Sequence, residues 1–259
     1  MQGLYNASSS MLVNQARLES TSNNLSNINT PGYKRSEAVQ LTFPETLTYR
    51  LEQHPGLRGR TFASPVGTTA DNVAVEETHV FHETGSLRST GRSLDMAVEE
   101  SSGFFALDTP EGMRFTRDGS FFLSVDEEDE ATLVNPQGFP VLGEEGEITL
   151  DNRDIEVDQE GNIYQEGEYV DTLEVYGFEE EGLLWKEGYN LFEAEEGAEP
   201  GLLEDPGIAQ GYLEESNSDL SRQMKDLIKV SRSYESAQRI SQSYDRMLSQ
   251  AANELGTLA

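Results

Sequence analysis

The chain has 259 residues, 48 acidic against 18 basic, for a formal net charge of −30. That length carries one large domain or two modest ones, and the absence of cysteine excludes a disulfide framework, a thiolate metal site and a cysteine nucleophile. So large a negative charge argues against nucleic acid or anionic lipid as a partner, since both need a cationic footprint.

From Gln2 to about Ile28 the pattern predicts a helix. Leu4, Met11, Leu18 and Leu25 recur every seven residues, with Ala7 and Ile28 offset by three. Thr30-Pro31-Gly32 stops it. Fourteen of the 25 residues from Asn6 to Thr30 are Ser, Thr or Asn. These compete for backbone hydrogen bonds, so the helix should be marginal alone. The same stretch has no apolar run longer than Met11 to Val13, so no Sec-type signal is expected. Nowhere does an apolar run approach the ~20 residues of a bilayer span, and no membrane insertion is expected. Pro44 to about Gly67 reads as an irregular linker with room for one hairpin, given Pro55-Gly56, Gly59 and Pro65-Val66-Gly67.

Beyond it the period falls to two, with turn signals every 8 to 12 residues, which predicts a central antiparallel β domain. Strands are expected over Asp95 to Val98, Gly103 to Leu107, Met113 to Arg117, Ser120 to Val125, Ala131 to Val134, Phe139 to Leu142, Ile155 to Val157 and Tyr169 to Phe178. Asp118-Gly119 reads as a type I′ hairpin turn between two of them. Further turns are expected at 135–138, 144–146 and 160–162, and Asp126 to Glu130 reads as a solvated loop tip.

From Tyr212 to Leu255 there is neither Gly nor Pro, and Gly211 and Gly256 bracket the run. Ser216 with Asp219 resembles an N-capping box. Leu220, Met224, Leu227, Val230, Tyr234, Ala237, Ile240, Tyr244 and Leu248 form an apolar stripe at spacings of mostly three and four. From Asn217 to Leu255 the helix would be about 58 Å long, more than a small domain needs to cover its core. The stripe wants a partner: neighbouring copies, or the N-terminal helix in an intramolecular hairpin.

Charge follows the same division. Residues 1–60 hold four acids and six bases and residues 216–259 hold five and six, leaving 39 acids and six bases in residues 61–215. Near-neutral ends and a middle at −33 imply that self-assembly runs through the ends while the middle faces solvent. A surface adapted to salt or alkaline surroundings would explain the acidity but not the neutral ends.

No phosphate-binding loop, Gly-x-Ser-x-Gly elbow or dinucleotide fingerprint is present. His79 and His82 near Glu76, Glu77 and Glu83 would point to opposite faces of an extended segment, a poor metal site. Asp154, Glu156 and Asp158 alternate like the start of a calcium loop, but Gly161 comes too late for the turn. No catalytic, metal or cofactor residues are expected.

Residues 22–35, SNNLSNINTPGYKR, resemble the N-terminal signature of the flagellar rod and hook protein family, the axial proteins of the bacterial flagellum. Its matching positions are Asn23, Asn24, Asn27, Thr30, Gly32, Tyr33 and Lys34. EESNSDLSRQMKDLIKVSRSYESAQRISQSYDRML is similar to the family's C-terminal helix. Gly103-Phe104-Phe105 and Thr116-Arg117-Asp118-Gly119-Ser120-Phe121 resemble its β domain. Ser26 and Ser101 depart from the usual Ala and Gly. The length resembles rod proteins, closest to those of Gram-positive bacteria, more than the hook protein.

The resemblance implies a discontinuous coiled-coil domain formed by both termini of a mainly β chain with long terminal α-helices. Its segments would be 1–70, an N-terminal axial helix and linker; 71–211, the acidic β domain; and 212–259, the C-terminal axial helix. It also implies a non-enzymatic subunit of the basal-body rod that transmits torque to the hook, with itself and other rod and hook proteins as partners. Export through the flagellar type III apparatus is implied too, with Phe43 and Leu47 in FPETL matching the export-gate motif. The rival readings are a secreted oligomeric binding or adhesion module on a helical stalk, and a hydrolase using two carboxylates of the β domain.

Overall fold

The computed structural model describes residues 2–42, 46–53, 61–69, 73–125, 131–178, 183–195, 197, 198 and 200–256. Phe43, Pro44, Pro55-Gly56, Gly59 and the 126–130 tip lie outside the described residues. The protein is mainly β, with helix α1 (Gln2–Ser26) near one end of the chain and helix α2 (Leu220–Gly256) near the other. It divides into two compact units, one of residues 1–22, 37–79 and 224–259, the other of residues 23–36 and 80–223.

In the first unit, α1 turns Ala7, Asn14 and Thr21 inward, while Leu4, Met11 and Leu18 are half-buried beside them. Val13 is buried with them, so small and polar residues, three out of phase with the leucine heptad, share the seam with one apolar side chain. Asn14 meets its own amide need by donating Nδ2 to the Ser10 carbonyl at 2.8 Å. At Gly3 the two helices touch, and a Cβ there would collide with the Tyr244 ring. In the stretch read as a linker with room for one hairpin, Thr46–Gln53 pairs with Thr61–Thr69, and outside it Ser36–Thr42 pairs with Val73–Val80. Pro65 and Gly67 do not break the pairing, because a bulge between Thr48 and Tyr49 absorbs the extra residue opposite them.

The second unit is built on Gly103–Thr109. This strand lies inside a six-stranded antiparallel sheet of order Leu184–Gly188, Leu191–Ala194, Gly112–Thr116, Gly103–Thr109, Val175–Gly177, Gly201–Leu202. Phe105 and Leu107 enter one core cluster with Phe121, Leu133 and Ile163; Phe104 and Ala106 enter a second with Phe115, Phe178 and Phe192. Both faces of the strand are covered, so it reads as a continuous apolar run rather than an alternation. His82 is part of the second layer, 5.8 Å from the Phe104 ring centroid and 5.5 Å from that of Phe192.

The turns at 135–138, 144–146 and 160–162 form, with Gly138, Gly146 and Gly161 at positive φ. At the last, Asp158 accepts N–H groups from Glu160 and Asn162 and the Asn162 side-chain amide. Against some desolvation, those bonds hold its carboxyl below the usual range. The carboxylate alternation there builds a hairpin. Among the described residues no group of three or more His, Asp or Glu could hold a metal, and no helix is long and apolar enough to cross a membrane.

The Asp118-Gly119 hairpin does not form. Gly112–Thr116 pairs with Gly103–Thr109 and Leu191–Ala194, while Phe122–Val125 pairs with Ala131–Val134. Gly119 is needed for proximity, since a Cβ would strike the Met96 carbonyl. The Met96 N–H donates to Gly119 O at 3.0 Å. Asp118 instead makes an Asx-type turn, accepting Ser120 N–H at 3.0 Å and Ser120 Oγ–H at 2.6 Å. Helix α2 begins at Leu220 rather than Asn217, and Tyr212–Glu214, at the head of the segment read as axial helix, pairs with Leu87–Ser89 as strand. Asp219 is the N-cap, its Oδ1 taking the Arg222 N–H at 2.7 Å.

Candidate functional site

The signature segment closes around one buried carboxylate. At the end of α1 the Asn27 amide donates to Asn23 O, and Thr30 Oγ1–H donates to Asn27 Oδ1 at 3.2 Å. Asn24 is buried and holds the chain as it reverses: its Oδ1 accepts the Ser36 N–H at 2.9 Å and the Tyr33 hydroxyl at 3.2 Å, and its Nδ2 donates to Ser36 O at 2.7 Å. Burial pushes the Tyr33 phenol up, against hydrogen bonding with Ser36 and Asn27 that pulls the other way. Gly32 sits at φ +62°, where a side chain would strike the Arg117 backbone. Its N–H donates to Glu214 O at 2.8 Å.

Lys34, fully buried, donates Nζ to Glu214 Oε1 at 2.6 Å and to the Glu83 carbonyl at 2.9 Å. The same carboxylate oxygen accepts the Gly85 N–H at 2.7 Å, and Glu214 Oε2 faces Arg117 Nε at 3.4 Å. Arg117 is itself buried, anchored on the Ser101 carbonyl through Nη2 at 2.9 Å. Two cations and a backbone donor thus share one carboxylate. Such a group is stable away from water only when every charge is paired. Asn217 ties the chain leading into α2 to this centre, accepting the Arg35 N–H at 2.7 Å and donating to Phe81 O at 2.7 Å.

The strand Leu184–Gly188 closes the site from outside. Lys186 Nζ lies 3.4 Å above the Tyr33 ring and donates to Lys34 O at 2.9 Å, while burial pushes its ammonium down to about 7. In the following turn Asn190 donates Nδ2 to the Pro31 carbonyl at 3.0 Å. The arrangement offers no activated nucleophile and no open acid–base pair. It does fix the two points at which chain leaves for the helices.

All seven signature positions therefore fall in one cluster. The heptad positions Leu4, Met11, Leu18, Leu25 and Ile28 are half-buried, with Ile28 in the turn beyond α1. On α2 only Ala237 of the stripe is buried; Leu227, Val230 and Tyr234 are half-buried, and Leu220, Met224, Ile240 and Leu248 are about half exposed, Ile240 at 50% and Leu248 at 56%. Leu47 lies in the strand Thr46–Gln53, and its motif partner Phe43 lies outside the described residues. Sequence reasoning missed Glu214, Asn217 and Gly85. In a chain with 48 acids nothing local marks one glutamate as buried.

Three family descriptions match in chain order: flagella basal body rod protein over residues 4–34, flagellar hook protein FlgE/F/G D1 domain over 100–165, and flagellar basal body rod FlgEFG protein C-terminal over 209–255. The chain is similar over its whole length, 30% identical across 277 aligned positions, to the flagellar hook-basal body complex protein FlhO of Bacillus subtilis, and all of both chains is covered. The chain belongs to the flagellar basal-body rod protein family. Within that family it is also 28% identical to the basal-body rod protein FlgG of Bacillus subtilis and 29% identical to FlgF of Rhizobium meliloti, each alignment covering 98% of both chains. Of the seven signature positions, Lys34 bonds the Glu214 carboxylate and Gly32 its main-chain carbonyl, while Asn24, Asn27, Thr30 and Tyr33 brace the turn that carries them. As a family member the chain is a structural rod subunit of the flagellar basal body and not an enzyme, and the company it keeps is other rod and hook proteins. These relatives also set aside the adhesion-module reading.

Proposed function

We propose that this rod-family subunit assembles through its two terminal helices, which pack as a coiled coil with those of neighbouring copies into an axial tube that carries torque to the hook. The observation that carries this reading is the incomplete cover of α2. A helix of 37 residues, about 55 Å long, holds a single buried apolar side chain among its described residues. Leu220, Met224, Ile240 and Leu248 stay about half exposed. Leu4, Met11, Leu18, Leu25 and Ile28 supply the flanks of the complementary helix. Folding and assembly free energy are then partly one quantity, because the helices gain their remaining burial only among neighbours.

The segments 1–70, 71–211 and 212–259 act as N-terminal axial arm, acidic outer domain and C-terminal axial helix. The subunit leaves the cell through the flagellar type III export apparatus, with Phe43 and Leu47 read at the export gate. Leu227→Asp or Leu18→Asp should abolish incorporation into basal bodies while the 80–223 unit keeps its fold by near-UV circular dichroism. Normal motility from either variant would end the proposal.

A further inference from the structure

Tyr189 occupies a position that physical chemistry disfavours twice. It is 79% exposed, and its φ is +47°. With Asn190 at φ +63° it forms the two-residue loop between Leu184–Gly188 and Leu191–Ala194, a type I′ geometry that normally takes Asn, Asp or Gly. A bulky residue in this region is an outlier, and such strain persists where the surroundings over-determine it.

Here they do. Asn190 is buried, its side chain bonded to Pro31 O and its carbonyl accepting the Thr116 hydroxyl at 3.0 Å. Below the tip, Arg114 is paired with Glu187, Glu193 and Glu111. The hairpin therefore holds an aromatic ring in water on a pinned support. A ring presented this way loses little freedom when it is buried by a partner.

We propose that Tyr189 is an assembly knob received by the exposed apolar stripe on α2 of a second copy of this chain; this rests on the assembly reading above. Charge selects the occupant. The hairpin under the ring carries the exposed acids Glu187 and Glu193, which together with Glu111 outnumber their one shared partner Arg114, and residues 61–215 of any neighbour carry 39 acids against six bases. An acidic tip is repelled by that surface. Helix α2 instead exposes Lys225, Lys229, Arg232, Arg239 and Arg246 around Met224, Ile228, Ile240 and Met247, with Glu235, paired to Arg239, and Asp245 as its exposed acids there, so the cations prevail. Opposite charges beside an apolar contact set partner and register. Because knob and stripe are different patches, the contact is heterologous and propagates as a ring or an open helical array instead of closing into a twofold dimer.

The test separates fold from assembly. Tyr189→Gly relieves the backbone strain, so purified full-length protein should unfold at an equal or higher temperature. In cells that make only this variant, the copies per isolated basal body should fall about tenfold or more, as for loss of a central aromatic contact. Tyr189→Phe should retain incorporation. Because the chain has no cysteine, Tyr189→Cys in one tagged copy and Met224→Cys, Ile228→Cys, Ile240→Cys or Met247→Cys in another should give a disulfide-linked pair in basal bodies. Wild-type incorporation of Tyr189→Gly, or no linked pair at any of the four positions, overturns the knob. Ile240→Asp is the control: if it too incorporates normally, the helix-assembly reading has failed and not the knob alone.

Discussion

The root of the two helices and the far part of α2 contrast sharply. Around Glu214 every element is closed: Lys34 and Arg117 share its carboxylate, Gly85 donates to it, and Asn24 and Asn217 satisfy the chains that pass. From Ile240 to Leu248 the apolar residues are about half in water. The first region is complete within one chain and the second is not. The two regions therefore respond to different perturbations.

The largest effect is expected from Glu214→Ala. It leaves two buried cations without their counter-charge and should destabilise the 80–223 unit by about 3–5 kcal/mol in denaturant unfolding. A loss below about 1 kcal/mol would mean that water or another carboxylate takes over. Gly32→Ala comes next. Left-handed backbone costs a side chain about 1–2 kcal/mol, and the Cβ also meets the Arg117 backbone. Unchanged stability would show that the signature turn can rearrange.

Lys186 gives a pH signature. With its ammonium at about 7 in the fold and near its ordinary 10.5 when unfolded, the unfolded chain holds more protons between those values. Stability should rise with pH across that window, and the contribution should be flat below 7. The difference between wild type and Lys186→Met in chemical denaturation at pH 6, 7.5 and 9 isolates it. A difference that does not change with pH would show that the Tyr33 ring and the Lys34 carbonyl keep the ammonium charged. The smallest effect belongs to Ile240→Ser. The free subunit should lose no more than about 0.5 kcal/mol, as at ordinary exposed sites, while copies per basal body fall. A large loss in the free subunit would place Ile240 in its own core.

Particular residues show how far local pattern carries. The seven-residue and three-to-four spacings located both helices, and Gly138, Gly146 and Gly161 marked real turns because positive φ is a property of one residue. Asp118-Gly119 misled because the glycine serves a close approach to Met96, in a strand 23 residues earlier in the chain. The same blindness made Pro65-Val66-Gly67 look like a break, where a bulge across the hairpin absorbs it. Lys34 was legible only as part of a signature, and its partner Glu214 lies 180 residues along the chain.

Sequence by itself determined which segments are helix, the β character between them, the concentration of charge in the middle and the family. Each of these depends on neighbours within a few residues or on simple counting. Tertiary structure alone decided that the signature wraps a buried carboxylate, that Ala7, Asn14 and Thr21 line the inner seam of α1, and that Tyr189 stands strained in solvent. Burial and charge pairing depend on what the rest of the chain brings near, and no local pattern encodes that.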